Sequence, residues 1–343
     1  MLPKRRRTPL RHKSDALTSP ARKLSGTGRR TQDLINRFRM VLLCGTLAAF
    51  ALGAYAPAVY ADNLGVVRAR AAAGDARALT QLGMAYYFGR DVAADLPKAL
   101  GLLGEARAAG DSLALAMLGV HALREQKMDE ALELLRQAAA AGHALAQRNL
   151  AALYLRGADP SPGLALLEAA VGQGDAASML TLATYLAQRE PAQANDAGRA
   201  RELLRRAAAL GEPRAQLRLA EQLLDDAAPE HTDEAGFFLR TAGVYTNNTA
   251  WVLATAPQAE RRDGARAVRL MEILLDSPDP RNGEWVDTLA AAYAEIGRFD
   301  AAVATQEEAI ALLEGEADPS LLDGMRARLA DYQARKPYRE ALP

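Results

Sequence analysis

Five glycines recur along the chain at nearly constant intervals, and this spacing narrows the possible folds more than any other feature. Gly74, Gly110, Gly142, Gly174 and Gly211 lie 36, 32, 32 and 37 residues apart, and a sixth slot, 35 residues further on, falls at Thr246. Periods of this length signal an array of supersecondary units. Small residues stand eleven positions before each slot from the second on: Ala99, Ala131, Gly163, Ala200 and Ala235. Eight and seven before it lie Leu102-Leu103, Leu134-Leu135, Leu166-Leu167, Leu203-Leu204 and Phe238-Leu239. Four before it lie Ala106, Ala138, Ala170, Ala207 and Ala242. Steps of three, four and seven place all of these on one helical face.

A second helix is predicted after each anchor. Four residues on stand Ala78, Ala114, Ala146, Ser178, Ala215 and Ala250, and eight on stand Leu82, Leu118, Leu150, Leu182 and Leu219. Each unit therefore reads helix–Gly–helix. Glycine suits the end of the first helix, because a left-handed residue there reverses the chain. Thr246 breaks that rule, since a β-branched residue resists the left-handed conformation, and Asn247 or Asn248 is able to take it instead. Small residues let the helix axes approach closely, and the leucines fill the seam. One pair cannot bury its apolar face alone. The fold class expected is all-α, an α-solenoid of stacked helix–turn–helix repeats with a concave face.

The units resemble known families. Residues 74–89, reading from Gly74-Asp-Ala-Arg-Ala-Leu to Tyr87-Phe-Gly, followed by Lys98-Ala99, resemble a Sel1-like repeat, a relative of the tetratricopeptide repeat (TPR). In the later units Leu-Leu pairs replace that family's aromatic residues, and only Gly83 and Gly119 keep the glycine after the leucine. Residues 283–315 are similar to an ordinary TPR through Leu289, Ala290, Tyr293, Gly297, Ala302 and Ala309. The stretch 247–268 resembles a divergent repeat found beside such units. The resemblance implies a Sel1-like array over 62–246, TPR-like repeats over 247–315, and a capping helix and tail over 316–343. Leu321, Leu322, Met325, Leu329 and Tyr332 give that last helix one apolar face, with Arg326, Arg328, Asp331 and Arg335 expected in water.

Charge divides the rest of the chain, although the total is neutral. Residues 1–39 hold twelve Lys/Arg and two acids, residues 40–61 hold no charge, and the remainder holds thirty Lys/Arg against forty Asp/Glu. The uncharged stretch, preceded by Arg37 and Arg39, reads as an inserted segment with its N-terminus inside. Val59 and Ala61 fit a signal-peptidase cut after Ala61. Its 22 residues also suffice to span about 30 Å of hydrocarbon, so an uncleaved inner-membrane anchor competes. Both readings place residues 62–343 across the membrane, in the periplasm. The basic arm is read as a disordered n-region rather than as a nucleic-acid or lipid contact.

Candidate chemistry is sparse. The lone cysteine, Cys44, falls in the leader, which leaves no thiol nucleophile in the body. His121 and His143 fall in different units, and acid pairs such as Asp225-Asp226 read as solvated surface. We expect no catalytic residue, no cofactor and no metal, and the acidic body argues against nucleic acid as a partner. An enzyme with an unrecognised site is the outlying alternative. In the resembled family the helix after each anchor lines the concave face. Counting along it gives Gln81, Met84, Tyr87, Met117, Arg148, Asn149, Thr181 and Arg218 as candidate partner-binding residues. Trp251 and Trp285 are expected in the core. The function expected is a non-catalytic protein-interaction scaffold or adaptor of the bacterial cell envelope, holding a peptide or helix of a partner. The alternative is an anchored regulatory or chaperone-like assembly module.

Overall fold

A computed structural model describes residues 64–340, apart from 158, 190–192, 194, 227, 228, 278–280 and 316. The basic arm and the uncharged stretch, with the cleavage site and anchor expected there, lie outside the described residues. Among the described residues there are sixteen α-helices, a short 3-10 turn at Ala259–Arg261 and no strand. The helices are α1 (Leu64–Ala72), α2 (Ala76–Phe88), α3 (Leu96–Ala108), α4 (Ser112–Arg124), α5 (Met128–Ala140) and α6 (Ala144–Tyr154). They continue with α7 (Ser161–Gly172), α8 (Ala176–Gln188), α9 (Asp196–Ala209), α10 (Pro213–Asp225) and α11 (Pro229–Thr241). The last five are α12 (Gly243–Thr255), α13 (Gly264–Leu275), α14 (Gly283–Glu295), α15 (Phe299–Leu313) and α16 (Pro319–Gln333).

The anchor glycines reverse the chain as their spacing predicts. Gly74, Gly110, Gly142, Gly174 and Gly211 have φ between 82° and 87°, and Gly297 has 79°. Each sets up the same C-terminal cap. The amide after Gly110 donates to Ala106 O (3.0 Å), and those after Gly142, Gly174 and Gly211 reach Ala138, Ala170 and Ala207. At these four turns the alanine four before the glycine thus supplies both a buried methyl and the closing acceptor, a part taken by Arg70 O before Gly74 and Tyr293 O before Gly297. The next residue starts the following helix. Asp75, Asp111 and Asp175 accept from Ala78, Ala114 and Ser178 amides at 2.7–2.8 Å. Buried Gln147 and Gln216 tie the joint further, each donating back to a carbonyl before the glycine, Ala139 and Ala208.

The turns at Gly110, Gly142, Gly174 and Gly211 join successive units rather than dividing them, whereas Gly297 lies inside the last hairpin. The tightest hairpins pair α2 with α3, α4 with α5, α6 with α7, α8 with α9, α10 with α11, α12 with α13 and α14 with α15. From α4 on, the leading member of each pair touches its counterpart in the next unit, α4 with α6, α6 with α8, α8 with α10, α10 with α12 and α12 with α14, and α2 meets α4 through Tyr87 and Arg124. The leading helices therefore form one layer, called here the A layer, and their Leu-Leu partners the other. The second leucine of each pair, Leu103, Leu135, Leu167, Leu204 and Leu239, is buried. Each such side chain contributes about 1.5–3 kcal/mol by leaving water.

Close helix approach within a hairpin is secured by one glycine in each of the first three. A methyl on Gly83 would stand 3.0 Å from Leu103 Cγ, and one on Gly119 would stand 2.8 Å from Leu135 Cγ. In the third hairpin the glycine changes sides: a methyl on Gly163, in α7, would meet Ala151 O of α6 at 2.9 Å. The close approach is kept although the helix that gives way is the leading one in the first two hairpins and the trailing one in the third.

The sixth slot departs from the expectation. Thr246 is helical and buried, and its hydroxyl donates to Leu239 O at 3.1 Å. Neither Asn247 nor Asn248 takes a left-handed conformation. The chain turns earlier, at Ala242, with φ −84°. The reason is tertiary. A methyl on Gly243 would lie 2.6 Å from the Trp285 ring, so glycine is used here for clearance and α12 begins at once. The expected boundary between residues 246 and 247 falls inside this helix.

A helix runs over the expected closing stretch as far as Gln333, starting from Asp318, whose carboxylate accepts from the Ser320 amide at 2.8 Å. Its water-facing surface is narrower than expected. Arg328 makes a two-pronged ion pair with buried Asp287 (3.0 and 2.8 Å), and Gln306 donates to the same carboxylate at 2.6 Å. Beside them, burial pushes the Tyr332 hydroxyl well above its ordinary pKa.

Candidate functional site

All eight candidate residues lie on A-layer helices: Gln81, Met84 and Tyr87 on α2, Met117 on α4, Arg148 and Asn149 on α6, Thr181 on α8, and Arg218 on α10. Seven are half-buried. Met117 is the exception. It is 1% exposed, inside the apolar core with Leu145, Ala146 and Leu150, and presents nothing to a partner. A flexible apolar thioether at this rim position folds into the seam between helices, whereas Gln, Asn, Thr and Arg keep a polar end out.

Several of the remaining residues are engaged within the chain. The Asn149 amide donates to Leu145 O at 2.7 Å and the Thr181 hydroxyl to Ala177 O at 2.8 Å, each in its own helix. Others bridge neighbouring A helices. Arg124 donates to the Tyr87 hydroxyl at 3.0 Å, and that hydroxyl lies 3.2 Å from His121 Nδ1, tying α2 to α4. Arg148 pairs with Asp175, the cap of α8, at 3.0 Å. Arg218 donates to the Thr184 hydroxyl at 2.9 Å, tying α10 to α8. Counting along the sequence finds the helix face but not these links, since each partner lies 27–37 residues away.

Between the A-layer helices α8 and α10 and α9 of the other layer lies a cavity of about 300 Å³, with Thr184, Arg201, Arg218 and Gln222 in its wall. Its polar rim and apolar floor of Leu180, Ala183 and Leu204 suit a side chain inserted from a partner. His143 follows a hinge glycine but caps nothing. Its Nδ1 is buried without a partner, and burial lowers its pKa below the ordinary histidine value. Among the described residues no three His, Cys, Asp or Glu side chains converge as a metal site requires, and no helix is long and apolar enough to cross a membrane.

Trp285 packs against the apolar core as expected and roofs Gly243. Trp251 packs there too, but its indole N–H donates to Glu340 at 3.1 Å, a polar use that the sequence alone does not signal.

Serial helical hairpins, with left-handed glycines between units and one shared A layer, define the class: an all-α protein of stacked helix–turn–helix repeats. No protein-family model matches the sequence, and no curated protein matches it. Solved structures do. One is a protective antigen of uropathogenic Escherichia coli strains displaying an SLR fold, with 23% identity and a TM-score of 0.44 over 82% of this chain. This chain spans 60% of that antigen's length. Another is a Sel1 repeat protein from Oxalobacter formigenes, with 19% identity and a TM-score of 0.44, covering 59% of this chain and 87% of that one. The TPR domain of P58(IPK) matches over 89% of this chain and 98% of its own, with 17% identity and a TM-score of 0.22. The architecture assigned above rests on this chain's own hairpins.

Proposed function

We propose that the protein is a non-catalytic scaffold that holds a segment of another protein on its A layer. The observation that carries this reading is the continuity of that layer. Consecutive leading helices touch one another, α2 and α4 through the Tyr87–Arg124 hydrogen bond, so Gln81, Met84, Tyr87, Thr181 and Arg218 belong to one run of helices, with the cavity beside Thr184 and Arg218 towards its far end. Protein partners are the usual ligands of Sel1-like and TPR-like folds. The basic arm and uncharged stretch support placement of the body in a bacterial periplasm, either released by a cut after Ala61 or held by residues 40–61 at the inner membrane. N-terminal sequencing of the mature protein separates the two: a start at Asp62 means release.

Recovery of cross-linked partners by the parent and by two triple variants tests the binding face. Gln81→Ala, Met84→Ala and Arg218→Ala together remove A-layer contacts. Glu130→Ala, Glu202→Ala and Arg205→Ala alter exposed positions of α5 and α9. Loss of a specific partner from the first variant alone supports the proposal. Equal recovery from both, or loss from the second alone, refutes it.

A further inference from the structure

In the last units the chain packs back on its own helices, against α16 and the C-terminal parts of α12 and α14. After α16 the backbone reverses at Arg335, whose φ is +57°, and residues 336–340 run on without regular secondary structure. This segment, Lys336-Pro337-Tyr338-Arg339-Glu340, crosses α12, α14 and α16 through side chains of three chemical kinds. The Tyr338 ring stands 5.9 Å from that of Trp251 on α12. The Arg328 guanidinium of α16 lies 5.3 Å from the Trp251 ring and 5.5 Å from the Tyr338 ring. Arg339 pairs with Glu295 of α14 at 2.6 Å. Glu340 accepts from the Trp251 indole at 3.1 Å, and its amide donates to Thr255 O at 2.9 Å.

The receiving groups are held in place independently of this segment. Glu295 is also paired with Arg262 at 2.9 Å, and Arg262 in turn donates to Ala256 O and Pro257 O. Arg328 is fixed by Asp287. Thr255 O belongs to the last turn of α12, where carbonyls lack a partner within the helix. An aromatic face, a carboxylate and a free carbonyl are thus presented together, and each meets its complement in three consecutive residues. Burying apolar surface alone would need neither the Arg339 pair nor the Glu340 contacts.

We propose that α12, α14 and α16 form an acceptor site for an extended peptide carrying an aromatic–basic–acidic triplet, and that residues 336–340 occupy it in cis and exclude such a segment of a partner until displaced. This rests on the reading that the A layer takes a protein segment, and it names the chemistry of one occupant. A tethered occupant acts at an effective concentration of roughly millimolar, so a free peptide of about 100 µM affinity is weakened about tenfold while the segment is seated.

The probe is a fluorescein-labelled peptide of residues 336–343, titrated by anisotropy against the full chain. The variant Tyr338→Ala/Arg339→Ala/Glu340→Ala is expected to bind it about tenfold more tightly than the parent, and adding Trp251→Ala or Glu295→Gln is expected to abolish the gain. If the triple variant loses helicity, the parent alone decides. Excess unlabelled peptide should then speed hydrogen exchange at the Glu340 amide, which is bonded to Thr255 O, while a peptide with three alanines in place of the triplet should not. No tighter binding by the folded variant, a gain that survives both added substitutions, or unchanged exchange in the parent overturns the proposal. Partner recovery from the α2 and α10 variants is a separate readout, so either idea can fail alone.

Discussion

The hairpin seam makes a sharp demand at Gly119. By helix propensity, Gly119→Ala in the middle of α4 should stabilise the protein by about 1 kcal/mol. The structure opposes this. The new methyl would stand 2.8 Å from Leu135 Cγ, 3.0 Å from Leu135 Cδ2 and 3.3 Å from Leu134 Cβ. Leu135 is fully buried, so it has nowhere to move without displacing α5. Overpacking of this kind costs about 1–3 kcal/mol, which leaves a net loss of up to about 2 kcal/mol. Leu135→Ala alone leaves a cavity and costs about 2–5 kcal/mol. In the double variant the added methyl enters space that the leucine has vacated. The two changes should then combine to less than their sum, by about 1–2 kcal/mol. Urea denaturation of the four proteins, followed by far-ultraviolet circular dichroism, measures the cycle. Strict additivity, or a Gly119→Ala variant more stable than the parent, would show that α4 and α5 do not approach as described.

Other positions give independent tests. Gly174 has φ +82° and open space around it, so Gly174→Ala isolates the conformational penalty, about 1–2 kcal/mol, and Gly174→Asn should lose less; equal melting temperatures for all three would contradict the hinge. His143→Asn supplies the missing cap of α6 without adding a charge near Asp111 and Asp175, and should stabilise by about 1 kcal/mol. Because burial lowers the His143 pKa in the folded state, its contribution is full above about 6.5 and declines as pH falls towards the folded value. The parent should therefore lose more stability than His143→Asn between pH 7.5 and 5, and parallel pH profiles would refute this. Arg328→Met strands a buried carboxylate at Asp287 and should cost about 3–5 kcal/mol, much of it restored by adding Asp287→Leu; a loss below about 1 kcal/mol in thermal melts would place the pair in solvent.

The repeats were legible because their signals are local. A glycine able to go left-handed, an alanine four before it and a leucine pair one helical turn further back recur at fixed offsets and need no knowledge of the rest of the chain. The cap carboxylates were legible too, as Gly-Asp at 74–75, 110–111 and 174–175, a signal the spacing argument passed over. What stayed hidden depends on contacts far apart in sequence. Ala242 replaces Thr246 as the turn because Trp285 needs the room over Gly243. Arg328 leaves water because Asp287 awaits it, 41 residues earlier. The helical register placed Met117 on the binding face, but its apolar, flexible side chain turned it into the core. Trp251 reads as core until Glu340 returns to meet its indole.

Site-specific photo-cross-linking in cells tests the central claim most directly. A benzophenone side chain placed at Met84 or Gln222, on the A layer, should capture the same discrete partner. The same group at Glu130 or Glu202, on the opposite layer, should capture none. Partner adducts confined to Glu130 and Glu202, or equal at all four positions, would contradict the assignment of the A layer as the binding surface.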